Sequence, residues 1–364
     1  MAGVEVGLVG LPNSGRSTLF NALTGGGAIV APHMFSTVET VHGVADVRDP
    51  RLEALDTVAS SRSGKLVPAT LEVVDIAALV RGASQGEGLG NQFLGNLRNT
   101  DAVVHVLRCF ADESVAHPSG AIDPQEDAET VELELVFADL AAIERRAERV
   151  GKAAKGGEKA AVAEHEALER LRAWLEDGRP ARTGGIEIPD SVDLLTAKPA
   201  LYVANTDDDP DAAQLEALRA FAAERGTECI ALNAKIEAEL RELPDEDAAA
   251  FLEDLGIERP ALDLVTLAAY RLLDLIPFFT TGPKETRAWT IRRGQNAQQA
   301  AGRIHSDLER GFIRAEVIEW QKLVEAGSEA EAKRHGWMRV EGRFICLRCS
   351  YEAGSSRVMG ARRR

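Results

Sequence analysis

The run Gly10-Leu-Pro-Asn-Ser-Gly15-Arg16-Ser17-Thr18 constrains this chain more than any other feature. It follows the apolar, β-prone segment Val4–Val9 and precedes an apolar stretch opening with Leu19-Phe20, so a buried strand must turn through glycines directly into a helix. The glycines let backbone N–H groups point inward around phosphate oxygens, the helix N-terminus adds positive potential, and Ser17 offers a hydroxyl to Mg²⁺. This is the spacing of a P-loop, with Asn13, Ser14, Gly15, Arg16, Ser17 and Thr18 as candidate phosphate-binding residues. A ligand-free glycine turn would show the same glycines but not the linked features that follow. One position departs from the motif. Arg16 replaces a lysine that works as a compact point charge against the β- and γ-phosphates. Arginine keeps the charge on a longer, planar group, which favours nucleotide binding over catalytic geometry.

The rest of the chain fits an open α/β sheet around that loop. The apolar runs Val4–Val9, Leu71–Val74, Val103–Leu107, Leu201–Ala204 and Cys229–Leu232 read as buried parallel strands, most of them separated by helical stretches. In such a sheet the ligand sits at the C-terminal ends of the strands. Between the third and fourth runs, Leu133, Phe137, Leu140 and Ile143 recur at helical spacing, as do Leu168, Leu171 and Leu175. Gly151-Lys-Ala-Ala-Lys-Gly-Gly157 punctuates them, so they are expected to form an antiparallel hairpin arm without chemistry of its own. At 364 residues, with 45% hydrophobic and 27% charged residues, the chain has the material for two or three folded units. A boundary is expected near Pro277-Phe-Phe-Thr-Thr-Gly-Pro283, before a small last domain.

Charge and cysteine usage narrow the setting. A net charge of −16 excludes a surface built to coat DNA, while leaving room for a local basic patch. Four cysteines make no disulfide framework in a chain of this length and suit a reducing compartment. No basic leader precedes Val4, and no apolar run reaches the roughly 18 residues of a membrane span. A cytoplasmic protein without membrane contact is expected.

Three further segments bear on phosphate chemistry. Thr37 lies where a threonine can complete a Mg²⁺ shell, although one loop threonine means little by itself. Asp75 ends an apolar strand and can hold Mg²⁺ through water, as a Walker B acid does; a helix-capping aspartate is the plainer alternative. The pattern Asp-x-x-Gly that usually follows such an acid has Ala78 in place of the glycine and Leu79 where Ras-like enzymes carry the water-orienting glutamine. A methyl at a position that needs φ > 0 costs roughly 1 kcal/mol or more, and leucine has no polar atom to orient water.

Taken with Gly82-Ala-Ser-Gln-Gly86-Glu-Gly88-Leu-Gly90-Asn91, His105-Val-Leu-Arg-Cys-Phe110 and Ala288-Trp-Thr-Ile291, these residues make the chain resemble the YchF subfamily of the Obg-like ATPases along nearly its whole length. The resemblance implies an α/β fold: a P-loop NTPase G domain with an inserted helical hairpin arm and a C-terminal β-grasp (TGS) domain. The corresponding boundaries are 1–125 and 200–277 for the nucleotide domain, 126–199 for the arm and 278–364 for the TGS-like domain. It also implies contact with the ribosome or ribosomal RNA through that last domain. Family members carry leucine at the position of Leu79, and His117 stands where a histidine has been proposed to act in place of glutamine. Read from its residues alone, a lone loop histidine is more often a solvated side chain. Asn13 matches an asparagine that in related proteins helps hold K⁺.

Base choice is read at Asn205, Thr206 and Asp208, with Asn233 and Ala234 backing the base. The resemblance implies ATP. The segment lacks the lysine of the GTPase version, yet its short carboxylate leans toward guanine and leaves GTP open. The chain ends in Cys346-Leu-Arg-Cys349 and an arginine-rich tail instead of the family's Asp-Gly-Asp turn and last apolar strand, so no strand is expected there. The two cysteines have metal spacing but lack the second pair a structural zinc site requires. The sequence thus points to a monomeric, Mg²⁺-dependent, weak ATPase or GTPase acting as a switch on the translation machinery. The rival is a nucleotide-binding regulator with little or no turnover because of Arg16 and Ala78.

Overall fold

The computed structural model describes residues 4–25, 40–58, 65–76, 89–112, 114–254, 257, 259–282, 284–342 and 357–361. Thr37, Ala78, Leu79, Cys346 and Cys349 lie outside the described residues. In chain order the elements are β1 (Glu5–Val9), α1 (Arg16–Thr24), β2 (Val41–Val47), α2 (Pro50–Val58), β3 (Leu66–Val67), β4 (Ala69–Asp75), α3 (Leu89–Arg98), β5 (Ala102–Cys109), α4 (Pro124–Lys155), α5 (Lys159–Glu176), β6 (Ala200–Thr206), α6 (Ala212–Glu224), β7 (Cys229–Leu232), α7 (Ala234–Glu242), α8 (Asp245–Asp254) and α9 (Ala261–Leu272). There follow β8 (Leu275–Thr280), β9 (Thr286–Arg292), α10 (Ala297–Ile304), α11 (Ser306–Arg310), β10 (Ala315–Glu319), α12 (Trp320–Ala326), α13 (Glu329–Arg334), β11 (Arg339–Glu341) and β12 (Arg357–Ala361). Among the described residues no helix is long and apolar enough to cross a membrane.

The chain divides into two compact units, 1–45 with 72–269, and 46–71 with 270–364. The first is built on a six-stranded sheet of order β2-β4-β1-β5-β6-β7. Strands β4, β1, β5, β6 and β7 run parallel, with Val6 level with Val73 and Ala102, and Tyr202 level with His105 and Cys229. All eight residues of β5 and all seven of β6 are buried, as a strand covered on both faces requires. Burial of this kind stabilises by roughly 25 cal/mol per Å² of apolar surface removed from water. It also fixes the C-terminal strand ends that carry the site.

Helices α4 and α5 form an antiparallel pair joined by a short turn, with Gly151 against the His165 ring and Gly178 against Leu133. The helical period is as expected, and so is the buried face of α5 (Leu168, Leu171, Leu175), but that of α4 is as expected only in part. Leu133 and Phe137 are 39% and 44% exposed, whereas Val131, Leu135 and Ala138 pack against the sheet and Val136, Ile143 and Ala147 pack against α5. A helix held between two neighbours buries two stripes, so the single stripe read from its larger side chains holds at Leu140 and Ile143, which pack against α5, and fails at Leu133 and Phe137.

Polar groups complete the attachment of α4. Asp139, fully buried, accepts from Leu195 N and Thr196 N at 2.8 Å each and from Thr196 Oγ1 at 2.6 Å. Glu132, 1% exposed, pairs with Arg182 and, at 2.9 Å, with Arg225.

The second unit holds a six-stranded sheet of order β11-β10-β12-β8-β9-β3. The expectation that the chain lacks a closing strand is corrected: Arg357–Ala361 form β12, antiparallel to β10 and parallel to β8. A five-residue strand flanked by glycine, serine and arginine carries too little pattern to be read as one. Backbone pairing in the middle of a sheet supplies what its composition does not signal. Helix α10 opens with a capping box between Asn296 and Gln299 and buries Ala297, Ala300 and Ala301 beside Phe278 and Ile291.

Candidate functional site

The segment between β1 and α1 turns through two left-handed residues, Asn13 (φ 66°) and Gly15 (φ 86°). Both glycines of the motif are sterically required. A Cβ on Gly10 would lie 2.5 Å from Val106 O, and one on Gly15 would lie 2.0 Å from Asn205 Nδ2. Gly15 is the N-cap of α1 and supplies no side-chain cap, so among the described residues nothing caps the helix start. The first helical hydrogen bond runs from Leu19 N to Gly15 O. The N–H groups of the first turn therefore stand without an intrahelical acceptor, at the positive end of the helix dipole. A helix start left in this state is suited to receive an anion on its backbone.

Arg16 and Ser17 both reach Asp75 at the end of β4. Ser17 Oγ donates to Asp75 Oδ2 at 2.8 Å, and Arg16 Nε donates to Asp75 Oδ1. A serine hydroxyl beside a carboxylate is a hard-oxygen pair of the kind Mg²⁺ takes alongside phosphate oxygens and water. The donor set fits that ion, with the qualification that Arg16 already occupies one oxygen of the acid. The guanidinium fork therefore points at the carboxylate, where a lysine ammonium would reach for the phosphates. Thr18 follows in the same turn of α1.

Asn205, 5% exposed at the end of β6, links three segments: its Nδ2 donates to Ser14 O at 3.0 Å and its Oδ1 accepts from Ala234 N at 3.0 Å. Thr206, the last residue of β6, is buried. Asp208 is exposed and accepts from Asn233 Nδ2 at 2.8 Å, while Asn233 Oδ1 caps α7. The base-side candidates Asn205, Asp208, Asn233 and Ala234 thus meet across the ends of β6 and β7. One carboxylate oxygen of Asp208 is used in holding Asn233.

His117 stands beside the phosphate loop through its neighbour, since Asn13 Nδ2 donates to Ala116 O at 2.9 Å. The imidazole itself is spoken for. Its Nε2 lies 2.9 Å from Asp127 Oδ2 in the first turn of α4, its Nδ1 lies 2.9 Å from Ser119 Oγ, and its side chain is 4% exposed. Burial raises the Asp127 carboxyl above its ordinary value, partly offset by the hydrogen bond from His117.

Similarity to known proteins places this geometry. Residues 5–138 match the family model described as a 50S ribosome-binding GTPase, and residues 275–348 match YchF-GTPase_C, described as a protein of unknown function (DUF933). The ribosome-binding ATPase YchF of Haemophilus influenzae is 45% identical over 348 residues, covering 94% of this chain and 95% of its own. The chain belongs to the YchF family. The YchF of Bacillus subtilis is 44% identical over 350 residues, covering 93% of this chain and 95% of its own. Among solved structures, the YchF GTPase of Schizosaccharomyces pombe superimposes with a TM-score of 0.82 at 29% identity, covering 100% of this chain and 98% of that one. A GTP binding protein from Pyrococcus horikoshii shares the fold, with a TM-score of 0.55 at 19% identity and coverage of 98% and 100%.

Within this YchF fold, three residues to which sequence reasoning gave no site role organise the site. Arg108, 2% exposed, donates from Nε to Phe110 O and from Nη2 to Asp112 O at 3.2 Å each, and its guanidinium lies 4.7 Å from the centre of the Phe110 ring. Phe110 Cε1 would be 3.9 Å from a Cβ on Gly15. Asp207 Oδ2 accepts from Ala111 N at 3.3 Å and ties the β5 loop to the β6 loop. A buried arginine inside an apolar strand was the available signal, because such a residue persists only where backbone carbonyls receive it.

Proposed function

We propose that this member of the YchF family binds a nucleoside triphosphate with Mg²⁺, hydrolyses it slowly, and uses the bound state to control contact with the ribosome. The observation that carries the reading is the uncapped start of α1 standing over a Ser17–Asp75 oxygen pair. The backbone of residues 13–18 would receive the phosphates, and Ser17 and Thr37 would bind Mg²⁺, with Asp75 holding it through water. The ion would neutralise charge on the β- and γ-phosphates. ATP follows from the names of the relatives, which are ribosome-binding ATPases; Asp208 keeps GTP in play, because its outer oxygen can accept from a guanine edge. Asn13 is the residue that would help hold K⁺.

Slow turnover follows from two features. Leu79 has no polar atom with which to orient water, and His117, its proposed substitute, is held by Asp127 and Ser119. The protein would act as a cytoplasmic monomer, with its C-terminal unit as the ribosome contact. The Arg16–Asp75 contact favours a second reading, a regulator that binds nucleotide with little or no turnover, because the P-loop cation is turned toward the metal acid.

Titration of labelled ATP and GTP with Mg²⁺ tests the common part, and absence of binding of either below millimolar concentration would remove both readings. Single-turnover hydrolysis, compared with Arg16→Lys and Ala78→Gly, separates them. Activity appearing only in the substituted proteins favours the regulator.

A further inference from the structure

A second, basic cleft lies at the opposite edge of the parallel sheet. The phosphate loop sits at the C-terminal ends of the strands, whereas Arg98 closes α3 immediately before β5 begins at Ala102, and Ser191 to Asp193 lie shortly before β6 begins at Ala200. The eight residues of β5 separate the two edges by about 25 Å. Helix α4 starts near the C-terminal edge and runs 32 residues, so its residues 142–149 return to the far side. There Arg98, Arg145, Arg146 and Arg149 converge with Ala142 and Ser191 to Asp193 around a cavity of about 260 Å³.

Four guanidinium groups in one cleft of a chain whose net charge is −16 require an account. Two of them are fixed. Arg98 Nη1 donates to Asp193 O at 2.6 Å, and Arg146 grips Glu164 in a two-point contact at 2.6 and 3.0 Å. Glu164 also accepts from Ser191 Oγ, so its charge is spent inside the wall. The other two, Arg145 and Arg149, are exposed and have no hydrogen-bond or ion-pair partner among the described residues. They stand one helical turn apart, about 6 Å along α4. Asp193 is the one acidic residue lining the cleft; with Glu164 offset by Arg146, the cleft keeps a positive excess. Like charges brought this close without a partner repel, and a planar guanidinium matches phosphate oxygens bidentately.

We propose that this cleft is a second phosphate-binding site, separate from the P-loop, that takes two adjacent phosphate groups between Arg145 and Arg149 over a floor set by Arg98 and Arg146. Adjacent phosphates come either from an RNA strand or from a small diphosphate compound. Both present the same chemistry to the cleft.

The test uses the full chain with its P-loop saturated by a non-hydrolysable ATP analogue and Mg²⁺. Inorganic pyrophosphate is titrated calorimetrically at fixed free Mg²⁺, and a fluorescein-labelled single-stranded RNA oligonucleotide is followed by anisotropy at several salt concentrations. The comparison is with the double variant Arg145→Ala/Arg149→Ala, whose side chains are exposed and whose removal leaves the packing of α4 intact. The wild type should bind at least one probe about tenfold more tightly than the variant, with ATP-analogue affinity equal in the two proteins. If the phosphates are those of RNA, RNA affinity falls and the variant's log–log salt slope should drop by about 1.4, whether or not pyrophosphate binding weakens with it. A loss confined to pyrophosphate identifies a small diphosphate ligand. Equal affinity of variant and wild type for both probes, or binding of neither probe by the wild type below millimolar concentration, overturns the proposal. So does a matching loss of ATP-analogue affinity, which would show that the two sites are not separate. Because that affinity is read independently, failure here leaves the P-loop reading standing on its own titration.

Discussion

Arg16→Lys should make nucleotide affinity depend more strongly on Mg²⁺. Arg16 and Asp75 have side chains only 12% and 11% exposed, and Ser17 Oγ holds the second carboxylate oxygen at 2.8 Å. Both oxygens of Asp75 are therefore engaged when a hydrated cation arrives. A hydrogen bond to an ionised group contributes roughly 1.5–3 kcal/mol, and residual solvent access puts this one at about 1.5–2 kcal/mol. A hydrated Mg²⁺ that draws on the same carboxylate must loosen the contact, which lowers the coupling between metal and nucleotide by about 10–30-fold. Lysine lacks the planar fork that holds Asp75, and its ammonium reaches the phosphates instead. A fluorescent ATP analogue titrated in Mg²⁺ and in chelator gives the ratio of the two Kd values for each protein. The ratio for Arg16→Lys should exceed that of the wild type by about tenfold, and Asp75→Asn should depress it in either background. Ratios within twofold of each other in wild type and Arg16→Lys would refute the reasoning.

Other substitutions probe the supports of the site. Burial lowers the His105 imidazole from 6.5 to about 4. The unfolded chain then binds the extra proton between those values, so stability present above pH 6.5 is lost as pH falls toward 4. Urea unfolding should show this group contributing a loss of about 2 kcal/mol between pH 7.5 and pH 5, and His105→Phe should abolish that part of the slope; an unchanged slope would exclude His105 as its source. Asn205→Ala removes the partner of Ser14 O and Ala234 N, and should cost about 2–4 kcal/mol in urea unfolding together with a measurable loss of nucleotide affinity. His117→Ala should slow single-turnover hydrolysis, whereas Asp127→Asn, by weakening the grip on the imidazole, should speed it; rates equal to wild type in both variants would confine His117 to positioning its loop.

Five strands and the phosphate loop were legible because their signals are local. Strands such as β5 and β6 are covered on both faces and so carry mostly apolar runs, and the phosphate-loop glycines recur within nine consecutive residues, although the contacts that require them come from Val106 and Asn205. β2 and β3 were not legible. Val41–Val47 is broken by His42, Gly43 and Asp46, and β3 is a two-residue strand that pairs with β9, about two hundred positions further along the chain. Segment 46–71 consequently leaves the first unit to join the second, a departure that no periodicity within it announces. The closing strand β12 was hidden for the same reason, since its partners β10 and β8 lie outside its own sequence.

At the site, residue types were readable and their allegiances were not. Arg16 was recognisable as a substitution in the motif, yet its contact with Asp75 joins residues 59 positions apart, and only the approach of β4 to the start of α1 decides whether its guanidinium faces phosphate or acid. His117 was singled out only by the family resemblance, its residues alone reading as a solvated loop side chain, and its binding to Asp127 depends on where α4 begins. Both side chains carry chemistry suited to the γ-phosphate, and both are held by a carboxylate from a neighbouring element. The same fold that positions the two groups therefore restrains them, and under the proposed hydrolase reading the free energy of releasing these two carboxylate contacts would add to the barrier to turnover.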